Sequence, residues 1–162
     1  MAGYFTLTGS TYDSALSELN AFDGALLAAG VGNTNLVKVS SVLPPEFSYV
    51  EPKELKLEWG MLLPIAYAVV TSSTPGTLIT AAVAVGMEEL GKGGVIVEYS
   101  AVGQTKDYAR KKVQEMLTEC FRVRSMTLRY GWTFAVDHVV ENFGCAFACV
   151  PLQHKTDRLL GG

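Results

Sequence analysis

Residues 34–45 read TNLVKVSSVLPP. Leu36, Val37 and Val39 make the first part a strand, and Pro44 and Pro45 end it, because proline has no N–H to give to a sheet ladder. Ser40 and Ser41 therefore stand at or near a strand end, where a serine pair is most often solvated turn chemistry. What precedes this strand sets the architecture. In SALSELNAFDGALLAAGVGN, residues 14–33, Leu16, Leu19, Phe22, Leu26 and Leu27 recur at helical spacing, with Asp13 or Ser14 as N-cap and Gly30 or Gly32 as the stop. The alternating YFTLTGS at 4–10 reads as one strand ahead of that helix.

Beyond the prolines come three apolar runs, GMLLPIAYAVVTSS (60–73), GTLITAAVAVGM (76–87) and GGVIVEYSA (93–101), separated by glycine and proline turns. Each has the length of a strand, although the alanine-rich middle run leaves a helix open. TKDYARKKVQEMLTECFRVR (105–124) is the clearest helix: Tyr108, Val113, Met116, Leu117, Cys120 and Phe121 line one side, and Thr105 is the N-cap. SMTLRYGWTFAVDHVV (125–140) and GCAFACVPL (144–152) read as two more strands, and the tail QHKTDRLLGG is expected to fray. Two helices with six or seven strands predict an α+β layered fold in one domain spanning 1–162.

With 162 residues, 49% hydrophobic and 18% charged, the chain is long enough to bury one sizeable core. A formal charge of −3 gives no bulk attraction to nucleic acid or to an anionic membrane. The basic residues between Lys106 and Arg129 read as the wet face of a helix, and no apolar run is long enough to span a bilayer. The amino-terminal MAGYFTLTGSTYDS has neither a basic start nor a long apolar stretch, so no secretory or transit signal is read there and a cytoplasmic protein is expected. Of three cysteines, Cys145 and Cys149 are four apart, but no second Cys or His pair lies near enough to complete a zinc site. They and Cys120 read as small apolar residues, and no metal is expected.

Four polar residues stand where the pattern predicts burial. Asp23 interrupts the apolar face of the first helix, Asn35 opens the strand that leads to the serines, Glu98 follows GGVIV with no counter-charge close in sequence, and His138 sits between Asp137 and Glu141. A carboxylate isolated beside an apolar strand has its pKa raised by desolvation, which suits a proton donor; the plainer reading is that the chain reaches the surface at Glu98. Asp23 equally suits a solvated helix face, and His138 suits a structural histidine better than a base. Nucleophile-elbow, phosphate-loop, dinucleotide and HExxH patterns are missing.

Taken in order, LNAFDGALLAAGVGNTNLVKVSSVLPP (19–45), GGVIVEY (93–99) and VENFGCAFA (140–148) resemble the pyruvoyl-dependent arginine decarboxylases. The resemblance implies self-cleavage between Ser40 and Ser41, leaving a small β chain (1–40) and a larger α chain (41–162) that starts with a pyruvoyl group made from Ser41. It implies that Ser41 Oγ attacks the Ser40 carbonyl, with the Asn35 amide as donor to the developing oxyanion. It implies a Schiff base between that pyruvoyl cofactor and the amine of L-arginine, Glu98 as proton donor to the α-carbon, Asp23 on the guanidinium, and agmatine and carbon dioxide as products. The implied fold is a four-layer α-β-β-α sandwich, assembled as a homotrimer or a dimer of trimers with active sites between neighbouring subunits. Competing readings are a pyruvoyl decarboxylase for another basic amino acid, an amidohydrolase keeping Ser41 as an amino-terminal nucleophile, and a non-catalytic trimeric scaffold.

Overall fold

The alternating stretch at the amino end forms two strands rather than one in the computed structural model, which describes residues 2–155: β1 (Gly3–Phe5) and β2 (Thr8–Ser14). Both keep one antiparallel register against the last strand, β10 (Phe143–His154): Phe5 lies opposite Leu152 and Thr8 opposite Cys149. The break at Thr6 and Leu7 interrupts the pairing without turning the chain. Helix α1 (Glu18–Ala28) follows, its N-cap the Ser17 hydroxyl, which accepts the Asn20 N–H, and not Asp13 or Ser14. Asp13 lies inside β2. The helix stops at Ala29, and the next residue, Gly30, has φ +86°, a left-handed conformation that favours glycine.

The strand predicted through the serine pair divides into β3 (Asn35–Lys38) and β4 (Val42–Leu43). A short β5 (Phe47–Tyr49) follows the prolines. The three apolar runs are β6 (Leu62–Ser72), β7 (Leu78–Glu88) and β8 (Gly94–Val102), and α2 (Lys106–Val123), capped by Thr105, leads to β9 (Leu128–Val139) and β10. The count is ten strands among the described residues, above the six or seven expected, because the amino-terminal and Ser-Ser strands each divide and β5 is short. Gln153 and His154 complete β10; the rest of the predicted tail, from residue 156, lies outside the described residues.

Two sheets result. One runs β3-β6-β10-β1-β5, with β2 paired to the same side of β10 as β1; the other runs β4-β8-β7-β9. Between them Ala66, Ala68, Ala146, Ala148 and Val150 of the first sheet meet Ala81, Val83, Val85 and Ile96 of the second. The outer face of the first sheet packs on Ala21, Ala25 and Ala29 of the α1 region through Ile65, Cys145, Phe147 and Cys149. The outer face of the second packs on Ala109, Val113, Leu117 and Phe121 of α2 through Ala82, Ala84, Val95 and Val97. The order is α1, sheet, sheet, α2: an α-β-β-α layering in one domain.

The alanine-rich β7 is a strand because both its faces are buried. Alternate residues 81, 83 and 85 enter the inter-sheet core while 82 and 84 meet α2, a division that only a period of two provides. The buried face of α1 differs from the one its leucines predict. Ala21 and Ala25 are fully buried, letting the helix lie close to the sheet, whereas Leu16, Leu19 and Leu27 stand 76%, 75% and 49% exposed.

Candidate active site

The Ser40–Ser41 peptide lies where the chain leaves one sheet for the other, since β3 edges the first sheet and β4 edges the second. Three backbone hydrogen bonds fix this crossing. The Val39 N–H donates to the Ile65 carbonyl (3.0 Å), the Ile96 N–H donates to the Ser41 carbonyl (2.9 Å), and the Val42 N–H donates to the Ser40 carbonyl (3.1 Å). The last is a tight three-residue turn centred on Ser41, and it puts a donor on the carbonyl that precedes Ser41. Both serines are exposed.

Glu98 lies two residues beyond Ile96 on β8, about 7 Å along the strand, with its side chain on the same face. That face is the inter-sheet side, because Ile96 belongs to the inter-sheet core while Val95 and Val97 face α2. The Glu98 side chain is 33% exposed, so the strand carries it to the rim of the core. The absence of a nearby counter-charge in sequence does not survive folding: Lys38 Nζ stands 3.5 Å from Glu98 Oε1. The same ammonium lies 4.6 Å over the ring of Tyr67, a cation–π seat. Lys38 therefore ties the end of β3 to β8 across the two sheets.

Asn35 opens β3, five residues before Ser40. Its side-chain amide donates to the Gly60 carbonyl at 2.8 Å and its backbone N–H donates to the Met61 carbonyl at 2.7 Å. The amide is thus fixed on the turn before β6, and the donor observed on the Ser40 carbonyl is the Val42 N–H.

Asp23 does not interrupt a buried face; it is exposed, between Leu19 and Leu27 on one helical stripe. With Tyr12, Ser14, Asn20, Leu27 and Ala28 it lines an open hollow between α1 and β2. Gly24 lets the Tyr12 ring pack directly on the helix at one wall of that hollow, since a Cβ there would run into the ring. Asp23 faces the β2 side of the sheet, whereas Ser41 follows β3. With β10 and β6 between, three strand spacings of about 4.8 Å separate the two edges, about 14 Å. Within one chain, then, Ser40, Ser41, Glu98 and Lys38 gather at one edge and Asp23 lies at another.

His138 has a structural setting. Its Nε2 is 2.7 Å from Asp13 Oδ2, and Asp13 also accepts the N–H groups of Glu141 (2.9 Å) and Asn142 (2.8 Å). Burial acts to raise the Asp13 carboxyl, but the Glu141 N–H, His138 and the Asn142 N–H outweigh it and hold it below the ordinary 3.8. Cys145 and Cys149 are buried; burial pushes the Cys145 thiol up to about 12 and drives Cys149 upward as well, so neither is a thiolate near neutral pH. No group of three or more potential metal ligands occurs among the described residues, and no helix among them is long and apolar enough to cross a membrane.

Residues 3–156 match the model of the family described as Pyruvoyl-dependent arginine decarboxylase. The chain belongs to that family. A relative from Methanocaldococcus jannaschii, named pyruvoyl-dependent arginine decarboxylase, is 44% identical over 138 residues, 85% of this chain and 82% of its own length. One of the same name from Thermococcus sibiricus is 47% identical over 70% of this chain and 71% of its own, and one from Methanococcus vannielii 36% identical over 93% and 90%. A solved structure titled pyruvoyl-dependent histidine decarboxylase at pH 8 aligns with a TM-score of 0.46 and 16% identity over 55% of this chain and 49% of that one. The family's name carries a pyruvoyl group.

Sequence reading missed Lys38 and the two backbone donors of Val42 and Ile96. Lys38 left one trace, a charge two residues before the serines in an otherwise apolar strand; the backbone donors left none.

Proposed function

We propose that this chain is an arginine decarboxylase that makes its own pyruvoyl group by cleavage between Ser40 and Ser41. The observation that carries the reading is the crossing itself, an exposed Ser-Ser peptide with its two carbonyls each held by a backbone N–H and with Glu98 one strand-pleat away. Ser41 Oγ adds to the Ser40 carbonyl carbon and its proton passes to the departing Ser41 nitrogen, exchanging amide for ester. The Val42 N–H stands where charge develops on the Ser40 oxygen. Loss of the Ser41 α-proton expels the Ser40 carboxylate from Cβ, and addition of water with release of ammonia leaves the ketoacyl end on residue 41. When formed, the group supplies a ketone that captures an amine and an adjacent carbonyl that accepts electrons. That carbonyl is the Ser41 oxygen, on which the Ile96 N–H already rests.

Glu98 then holds the proton to be delivered to the substrate's α-carbon, and Asp23 receives the guanidinium through paired hydrogen bonds. Since Asp23 and Ser41 lie at different edges of one chain, Asp23 serves the Ser41 of a neighbouring copy, with Leu19 and Leu27 as the apolar contact around it. A homotrimer closes such a ring of sites. Asn35 lies about 13 Å of extended strand before Val39, out of reach of its own Ser40, and is proposed to assist cleavage in a neighbouring copy through its remaining amide hydrogen.

Intact mass under denaturing conditions tests the reading. Fragments meeting at 40/41, the larger lighter by one ammonia than a serine-started chain, are expected, together with turnover of arginine above that of ornithine, lysine and histidine. A serine-started fragment would turn the assignment toward an amidohydrolase, and a single full-length mass would remove the decarboxylase. In the same measurement, slowed cleavage is expected for Asn35→Ala; unchanged cleavage would leave the oxyanion to Val42 alone.

A further inference from the structure

The proposed site accounts for the guanidinium and the amine of the substrate but not for its α-carboxylate, the group that leaves. We propose that Lys38 is the carboxylate-binding residue and that it makes the site select an amino acid over the amine formed from it. The inference rests on Ser41 and Glu98 being the reacting groups. A carboxyl that delivers a proton to the α-carbon must lie against that carbon, and the α-carboxylate is attached to the same atom. A cation 3.5 Å from Glu98 Oε1 is therefore within one functional group's width of the carboxylate.

Lys38 is built for exchange between two anions. Its side chain is 51% exposed and comes from an edge strand, so an incoming carboxylate has access to it. Its second contact, the Tyr67 ring at 4.6 Å, holds the ammonium without using up a carboxylate. With no substrate, Glu98 occupies the ammonium; with arginine in place, the α-carboxylate shares or takes it. Departure of carbon dioxide removes that anion, and the ammonium returns to Glu98. The product, lacking a carboxylate, then competes for the site with one contact fewer than the substrate has.

Binding to processed enzyme whose pyruvoyl ketone has been reduced with borohydride tests this apart from turnover. By calorimetry, L-arginine is expected to bind this protein more tightly than agmatine. Lys38→Met should weaken arginine about tenfold to a hundredfold while moving agmatine less than about threefold, and Lys38→Arg should recover most of the loss. Equal weakening of both ligands in Lys38→Met, or agmatine binding as tightly as arginine in the unsubstituted protein, would overturn the proposal. The second comparison needs no variant and stands even if Lys38→Met is not processed. Failure of the parent reading looks different: no cleaved chain to reduce, or binding of neither ligand.

Discussion

The two carboxylates of the proposed site differ in their surroundings, and the difference divides the roles proposed for them. Glu98 is partly sheltered at the rim of the inter-sheet core with an ammonium beside it, whereas Asp23 stands exposed between two leucines on a helix. A group that moves a proton acts at the transition state, and a group that fixes the far end of the substrate acts mainly on binding. Glu98→Gln is therefore expected to cleave normally, bind arginine nearly as well, and lose about 10²- to 10⁴-fold in kcat. Asp23→Asn should also cleave normally but lose chiefly in KM. Steady-state kinetics on chains checked for cleavage by mass reads the difference; a fall in kcat alone for Asp23→Asn, or failed cleavage, would remove its guanidinium role.

Between elements, Asp13 is the tie that joins β2 to the turn between β9 and β10, through His138 and the N–H groups of Glu141 and Asn142. Because its folded carboxyl titrates below the ordinary value, its contribution is complete above about pH 4 and is lost as pH falls through the folded value. Asp13→Asn should cost about 2 kcal/mol at pH 7 and much less near pH 3, read as the difference in thermal or urea midpoints at the two pH values. A constant difference across that range would mean that the charge is not what holds the turn. The sequence misplaced Asp13 as a helix cap because an Asp before a helical pattern has the right chemistry for one; its partners lie 125 residues or more away. Local signals were readable where they were decisive, as at Thr105, whose hydroxyl caps α2 as expected. The α1 leucines misled for the opposite reason: alanine carries little periodic signal, yet the close approach of α1 to its sheet selects the alanines for burial. Of the proposed site, Glu98, Asp23 and Asn35 were legible as polar exceptions in apolar patterns and Ser41 only through the family resemblance, whereas the Lys38–Glu98 pair exists only once two sheets meet.

For the whole molecule, the separation of Asp23 from Ser41 has a direct test. Asp23→Asn chains, slow at low arginine, and inactive Ser41→Ala chains are expected, when produced together, to regain part of the turnover at low arginine, because some neighbours then pair an intact Asp23 with an intact Ser41. No recovery in mixed assemblies, verified by mass, would place both groups in a single-chain site. The crossing at residues 39–41 also decides how the molecule can be made. Everything before it supplies β1, β2, α1 and β3, and the sheet partners of those strands, β5, β6 and β10, all come after it. Uncut, the chain brings these pieces together as one body, with only loop closure to overcome. Once cut there, the halves stay joined by sheet pairing, but separation by a denaturant makes their reunion a second-order encounter. The uncut chain is then its own assembly guide, discarded after use, and recovery of the mature form from denaturant should depend on protein concentration while that of an uncleavable Ser41→Ala chain depends on it less.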